Sequence, residues 1–121
     1  MERVPQPTPK VSRADVLRVA TRDFGEALAR AVAVLDQYGH EEWEREPHRV
    51  QLAVLKLAAG DLKTLTEAIG SAKHDYRDVL AAAEYPKYMR KAFNIETLHP
   101  EEQAALIQSD WQQYASWLAK P

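Results

Sequence analysis

The sequence contains no cysteine, only four glycines in 121 residues, and no apolar run that approaches the length of a membrane span. Without cysteine, disulfides, thiolate metal sites and cysteine nucleophiles are excluded. The scarcity of glycine leaves little material for a phosphate-binding loop built from backbone N–H groups. Because a spanning helix needs about 20 apolar residues, we predict a protein outside the membrane and, given the absence of cysteine, a cytoplasmic one.

The chain also lacks an excess of positive charge. Its 16 Lys and Arg are balanced by 18 Asp and Glu, which gives a formal net charge of -2. Proteins that bind duplex DNA usually present a strongly basic face, so nucleic acid is not the expected partner. No GxSxG or HExxH motif occurs, and the sequence predicts no catalytic residue, metal site or cofactor.

Prolines are concentrated at the beginning of the chain. Pro5, Pro7 and Pro9 favour extended polyproline II backbone, and each removes a backbone donor. We therefore predict a flexible proline-rich tail over residues 1–11, followed by a single helical domain over residues 12–121.

Apolar residues recur at helical spacing through most of that domain. Ser12 and Asp15 fit a capping box at the start of the first helix, which extends to a C-cap at Gly39. A second helix could begin at Thr21–Asp23, so one long helix and two shorter ones are both open. The predicted inner stripe of this region comprises Leu17, Phe24, Leu28, Ala31, Leu35 and Tyr38.

The next predicted helix begins at Pro47 and ends at Ala59. Only Gln51 and Lys56 are polar in VQLAVLKLAA, so this helix should be buried on most sides and form the centre of the fold. A further helix is predicted between Asp61 and Pro86, with a bend at Gly70–Ser71 left open. Its continuous stripe comprises Leu62, Leu65, Ile69, Ala72, Tyr76, Val79 and Ala83.

The last helix is predicted to start near Pro100. Its apolar stripe comprises Ala104, Ile107, Trp111, Tyr114 and Leu118. No strand pattern of useful length occurs. The predicted fold class is therefore all-α, a compact bundle of about five helices without β-sheet.

One cluster holds the side-chain types that acid-base chemistry or metal ligation would require. It comprises His74, Asp75, Arg77 and Asp78. On a continuous helix His74 and Asp78 lie one turn apart, while Arg77 has no acidic residue three or four positions away and needs a partner from elsewhere. We favour structural ion pairs here, and a small enzyme or a metal- or ligand-binding protein using this cluster is the alternative.

Aromatic and basic residues alternate after the predicted stop at Pro86. This candidate anionic-ligand patch comprises Tyr85, Lys87, Tyr88, Arg90 and Lys91. Such a patch can stack bases and neutralise phosphates. The favoured interpretation is that the aromatic rings fill a corner between helices while the cations remain in water.

Two of the three tryptophans are candidate interface anchors. Trp43 follows Glu41 and Glu42 in an acidic segment that we interpret as a solvated loop, and Trp117 lies off the stripe of the last helix. Exposed tryptophan gives a large contact area with few frozen torsions. For each tryptophan taken singly, packing in the core is the favoured interpretation. The leading hypothesis is a non-enzymatic module that binds a protein partner or itself, because a small bundle need not cover the whole apolar surface of the central helix.

The segment VQLAVLKLAAGDLKTLTEAIGSAKHDYRDVLAAAEYP, from Val50 to Pro86, resembles a family of small bacterial all-helical proteins of uncharacterised function. The GDL turn, the AK.DYRDVL run and the EYP stop carry the resemblance. It covers about a third of the chain and implies a bacterial, cytoplasmic, helical protein. It implies no activity, ligand or catalytic residue.

Overall fold

The computed structural model describes residues 6–91 and 97–121; residues 1–5 of the predicted tail and the segment 92–96 lie outside that description. Its helices are α1 (Arg13–Phe24), α2 (Leu28–Leu35), α3 (Pro47–Ala58), α4 (Leu62–His74), α5 (Tyr76–Glu84), α6 (Pro86–Arg90) and α7 (Pro100–Ala119). The described residues contain no strand. The predicted all-α bundle is therefore confirmed.

The first predicted helix is divided into α1 and α2. The predicted capping box is present, since the Asp15 N–H donates to Ser12 Oγ at 3.4 Å and the Ser12 N–H donates to Asp15 Oδ2 at 2.9 Å. A 3₁₀ turn over Gly25–Ala27 separates the two helices. The division falls at Gly25, whose φ of 51° lies in the left-handed region, and not at Thr21–Asp23, because glycine reaches that conformation at the lowest cost.

Helix α3 lies at the centre of the core, as predicted. Every side chain from Val50 to Leu55 is buried, and α1, α4 and α5 pack around the helix. The Nε2 of buried Gln51 donates to the carbonyl oxygen of Leu35 at 2.9 Å, which ties α3 to the end of α2, while its Oε1 is buried without a protein partner. One chain therefore covers α3, and the expected surplus of apolar surface on this helix is not found.

The helix predicted between Asp61 and Pro86 is interrupted at Asp75. That residue has extended backbone (φ -154°, ψ 102°), and its side chain accepts the N–H of Arg77, which caps the start of α5. Aspartate favours such a break because its carboxylate offers the backbone an alternative to the helical hydrogen bond. Gly70–Ser71 lies inside α4 without a break. The stripe still faces one core, since Ile69 before the interruption and Val79 after it are buried in the same cluster.

Two of the predicted stripes each contain one exposed residue, while their other members are buried or half-buried as predicted. Leu17 is 39% exposed, and α1 turns Val16 and Val19 inward instead. On α7, Ala104 is exposed, whereas the buried face includes Gln103 and Asp110. Both errors arise because these helices have more apolar positions than one narrow stripe, so spacing alone does not determine which of them faces the core.

Two buried carboxylates join elements that are distant in sequence. Glu84 of α5 accepts two hydrogen bonds from the Arg49 guanidinium of α3, at 2.8 Å from Nε and 2.6 Å from Nη2. That pairing raises the pKa of Arg49. Asp110 of α7 accepts the N–H groups of Lys87 and Tyr88 at 3.1 and 2.9 Å, which holds the start of α6 against α7.

The segment before α1 has no regular secondary structure from Gln6 to Val11. Within it Pro9 is buried, while Pro7, Thr8 and Lys10 are exposed. The flexibility of the tail stays a prediction. Across the described part of the chain, no helix combines the length and the apolar character that crossing a bilayer requires.

Candidate functional site

The loop between α2 and α3 presents the most exposed large apolar side chain of the described residues. Trp43 is 63% exposed, against 43% for Met89 and 39% for Leu17. The indole ring has a large apolar area, and most of that area stays in contact with water in the folded chain. Core packing, the favoured interpretation from the sequence, is therefore wrong for Trp43, and its role as an anchor stays a prediction.

The loop that holds Trp43 is organised by its neighbour Glu44, which is only 4% exposed. Glu44 Oε1 accepts the backbone N–H groups of Gly39 at 3.0 Å, His40 at 3.0 Å and Glu41 at 3.3 Å. Burial opposes ionisation of this carboxyl, but the three N–H donors and nearby Lys73 outweigh it and lower the pKa of Glu44. A charged carboxylate thus fixes the turn that leads into Trp43.

Further contacts attach the loop to the rest of the bundle. The hydroxyl of buried Tyr38 donates to the carbonyl oxygen of Arg45 at 2.8 Å, and burial together with Glu44 raises the pKa of that phenol. Lys73 of α4 donates to the carbonyl oxygen of Gln37 at 3.0 Å. Its Nζ lies 3.6 Å from Glu44 Oε2, an ion pair longer than a hydrogen bond. The loop that presents Trp43 is therefore held against the bundle by these contacts.

Gly39 is the residue that allows the loop to close. Its φ is 114°, and a Cβ placed there would lie 3.0 Å from Cβ of Pro47. Both the backbone conformation and the space therefore favour glycine at this position. The prediction that Gly39 is the C-cap of the first helical region is wrong, because α2 ends at Leu35 and its C-cap is Asp36.

Trp43 borders an open groove of about 510 Å³, which we call the Trp43 groove. It is lined by Glu42, Trp43 and Arg45 from the loop and by residues 72–77 from the α4–α5 junction. Arg45 has no carboxylate partner among the described residues, while Lys73 and Arg77 bring two more cations. The groove thus combines two aromatic side chains, Trp43 and Tyr76, with charges of both signs.

The structure brings most of the predicted polar cluster to this groove. His74, Asp75 and Arg77 line it, whereas Asp78 does not. The expectation that Arg77 needs a distant partner is wrong. Its Nε and Nη2 both lie 3.0 Å from the carboxylate oxygens of Asp75, two residues earlier, because the helix break turns Asp75 toward it.

The helix break changes the geometry of this cluster from the one that was predicted. His74 ends α4 and Asp78 lies in α5, so they are not one turn apart on a continuous helix as predicted. Residues 6–91 and 97–121 contain no group of three or more side chains arranged to hold a metal ion. The pKa of Asp75 is lowered, chiefly by the hydrogen bonds from Arg77. Asp75 is therefore a helix cap with an ion pair.

The candidate anionic-ligand patch is largely occupied by packing. Tyr88 is buried, and the rings of Tyr85 and Tyr88 meet edge to face with centroids 6.3 Å apart. Lys87 Nζ donates to Ser109 Oγ at 2.6 Å. Arg90 and Lys91 are exposed, and the aromatic rings lie in the corner between helices α5, α6 and α7. A ligand-binding role for the patch stays a prediction.

The second candidate anchor, Trp117, is half-buried and engaged. Its ring packs against Tyr114 with centroids 5.5 Å apart, and the Arg22 guanidinium lies 5.2 Å from its centroid. Arg22 Nη1 also donates to the carbonyl oxygen of Trp117 at 2.9 Å. Because these contacts attach the end of α7 to α1, Trp117 offers much less free surface than Trp43.

Sequence reasoning missed Glu44 as the residue that organises the loop. Four glutamates occur between Glu41 and Glu46, and the pattern gives no sign that one of them turns inward. A sequence signal exists only for its surroundings: Gly39 followed closely by acidic residues is compatible with a turn whose N–H groups need an acceptor.

The fold and the site define the class as an all-α bundle that displays a tryptophan beside a mixed-charge groove. Comparison with protein-family models, curated proteins and solved structures finds no match. The resemblance over Val50–Pro86 therefore stays a prediction.

Proposed function

We propose that this protein is a non-enzymatic helical module that binds another protein through the Trp43 groove. The observation that supports this proposal is Trp43 itself, 63% exposed on a loop whose conformation is fixed by the buried carboxylate of Glu44. Interfaces are enriched in tryptophan, and a side chain held in place before binding loses less entropy when the partner arrives. We further propose a bacterial, cytoplasmic protein, from the resemblance and the absence of cysteine.

The surroundings of Trp43 fit a protein partner better than a small substrate. The groove is open and has charges of both signs on its border, as the polar rim of a protein interface does. Self-association loses the support that an uncovered α3 would have given, since Val50–Leu55 is buried within one chain. Within residues 6–91 and 97–121, no specific contact favours the alternatives of an enzyme, a metal-binding protein or an anionic-ligand site.

Site-specific photo-crosslinking in the native host tests this proposal. A photoreactive residue replaces Arg77, which borders the groove and has a 75% exposed side chain. We expect one discrete crosslinked protein. The same photoreactive residue in place of Glu67, exposed on α4 and not among the groove residues, is the matched control and should not give that product.

The second arm removes the anchor. Trp43→Ala should weaken binding of the crosslinked partner at least about 10-fold, as expected for an interface anchor. It should change the free energy of unfolding by no more than about 0.5 kcal/mol because the side chain is mostly exposed. Met89→Ala, another exposed apolar side chain, should leave binding unchanged. Equal crosslinking by the wild type and by Trp43→Ala would refute the proposal.

A further inference from the structure

A second surface of the bundle carries part of the chain itself. Residues Pro7–Lys10 lie along α7 and share a largely apolar cavity of about 420 Å³ with Trp111, Tyr114, Ala115 and Leu118. We call the surface formed by those four side chains the α7 face. Pro9 is buried, while the residues on each side of it are exposed. A buried proline of the N-terminal segment therefore lines the same cavity as two aromatic residues of one helix.

Apolar contact is what holds this segment in place. From Gln6 to Val11 the described residues make no hydrogen bond and no ion pair. Two polar atoms, Nε2 of Gln6 in the segment and Oη of Tyr114 on α7, are buried without a protein partner. Both residues border a small cavity of about 20 Å³. Release of the segment would return these atoms to water, which offsets part of the apolar area lost.

The chemistry of the occupant and of the surface matches a known mode of recognition. Segments rich in proline lose little backbone entropy on binding because their φ angles are already restricted, and they dock on grooves lined by aromatic side chains. Pro7 and Pro9 supply such a segment, and Trp111 and Tyr114 supply the aromatic lining.

We propose that the α7 face is a binding site for proline-rich extended segments, occupied in cis by residues 6–10 and able to accept the same kind of segment in trans. The occupant in trans is a peptide with prolines spaced as Pro7 and Pro9 are. The Trp43 groove and the α7 face have no lining residue in common. The inference is therefore independent of the function proposed above.

The occupation in cis sets a limit on affinity. A segment joined by a short linker has an effective concentration in the millimolar range. If the docked form dominates, the dissociation constant of the same segment in trans is about 1 mM or lower. A free peptide must also compete with the attached segment. Half-displacement is therefore expected at a few millimolar, roughly the sum of the dissociation constant in trans and the effective concentration of the attached segment.

Contact quenching in the full chain tests the docked form. The chain has no cysteine, so Thr8→Cys, at an exposed position, takes a single bimane label whose fluorescence tryptophan quenches on contact. We expect Trp111→Phe, which keeps an apolar ring, to raise the bimane intensity at least about twofold if more than half of the molecules are docked. Trp43→Phe is the matched control and should leave the intensity unchanged.

Displacement by peptide tests the site in trans. The labelled chain is titrated to about 20 mM with a peptide of residues 1–11, which should relieve quenching with a midpoint of a few millimolar. The same peptide with alanine at the positions of Pro7 and Pro9 should be at least about fivefold weaker because its backbone is less restricted. Quenching that does not depend on Trp111 would overturn the proposal. So would quenching that the proline peptide does not relieve, or that both peptides relieve equally.

Discussion

Replacing Glu44 by glutamine tests how the loop that carries Trp43 is built. The substitution keeps the shape of the side chain and one carbonyl oxygen that can accept hydrogen bonds, but it removes the negative charge. Three backbone N–H groups, those of Gly39, His40 and Glu41, then bond to a neutral acceptor. The new amide NH₂ group also faces the ammonium of Lys73, where Oε2 stood 3.6 Å away.

The expected cost follows from these contacts. A hydrogen bond to a charged group contributes about 1.5–3 kcal/mol and a neutral one about 0.5–1.5 kcal/mol, a difference of about 1 kcal/mol per bond. The three bonds share one oxygen and are partly exposed, so they do not add fully, and we expect a total of about 2 kcal/mol. For a domain of this size that loss lowers the melting temperature by about 6–10 °C.

The pH dependence of the stability difference between the wild type and Glu44→Gln provides a second, independent test. Because folding lowers the pKa of Glu44, its contribution is fully present above the unfolded pKa of about 4.3 and is lost as the pH falls through the folded value. The wild type should therefore exceed Glu44→Gln in stability near neutral pH. The difference should shrink as the pH falls below the unfolded pKa, and it should vanish once the folded wild-type carboxyl is protonated as well.

Denaturant unfolding followed by far-ultraviolet circular dichroism measures both effects, given two-state behaviour. Glu42→Gln is the matched control, since that glutamate lies in the same loop and is exposed; it should change stability by less than about 0.5 kcal/mol. A Glu44→Gln cost below that level, or a cost that is equal at neutral and acid pH, would refute the account of the loop.

Two further predictions concern the links between helices. Arg49→Met should cost about 3–5 kcal/mol because it leaves the buried carboxylate of Glu84 unpaired, and the double variant with Glu84→Leu should recover much of that loss in thermal unfolding. An equal loss in the double variant would contradict the ion-pair explanation. Asp75→Ala should cost about 1 kcal/mol as a lost helix cap, and Asp75→Asn should retain most of that stability because asparagine also caps. The exposed Asp78→Ala is the control, and a larger loss there than at Asp75 would show that the cap is not what matters.

The sequence predicted the helices better than their interruptions. Periodicity located α3 and its burial because Val50–Leu55 is apolar on nearly every side, which no solvent-exposed helix tolerates. The same periodicity runs unbroken across Asp75, where the structure has a break. The stripe records which residues face the core, and two short helices can satisfy it as well as one long helix.

The candidate site was predictable in part. Trp43 and Trp117 were both candidates for an exposed anchor, although core packing was favoured for each singly, and of the two only Trp43 is largely exposed. The partner of Arg77 was not predictable from helical spacing, since that rule assumes a continuous helix. Only the break brings the carboxylate of Asp75 within 3.0 Å of the guanidinium.

By itself, the sequence determined the fold class and the central helix, because composition and local periodicity act through neighbours on the same segment. The tertiary structure alone decided which of several similar glutamates is buried, where Pro9 rests and which residue pairs with Glu84. Those outcomes depend on where distant parts of the chain meet. Hydrogen-bond donors and apolar faces that come together there are not adjacent in the sequence.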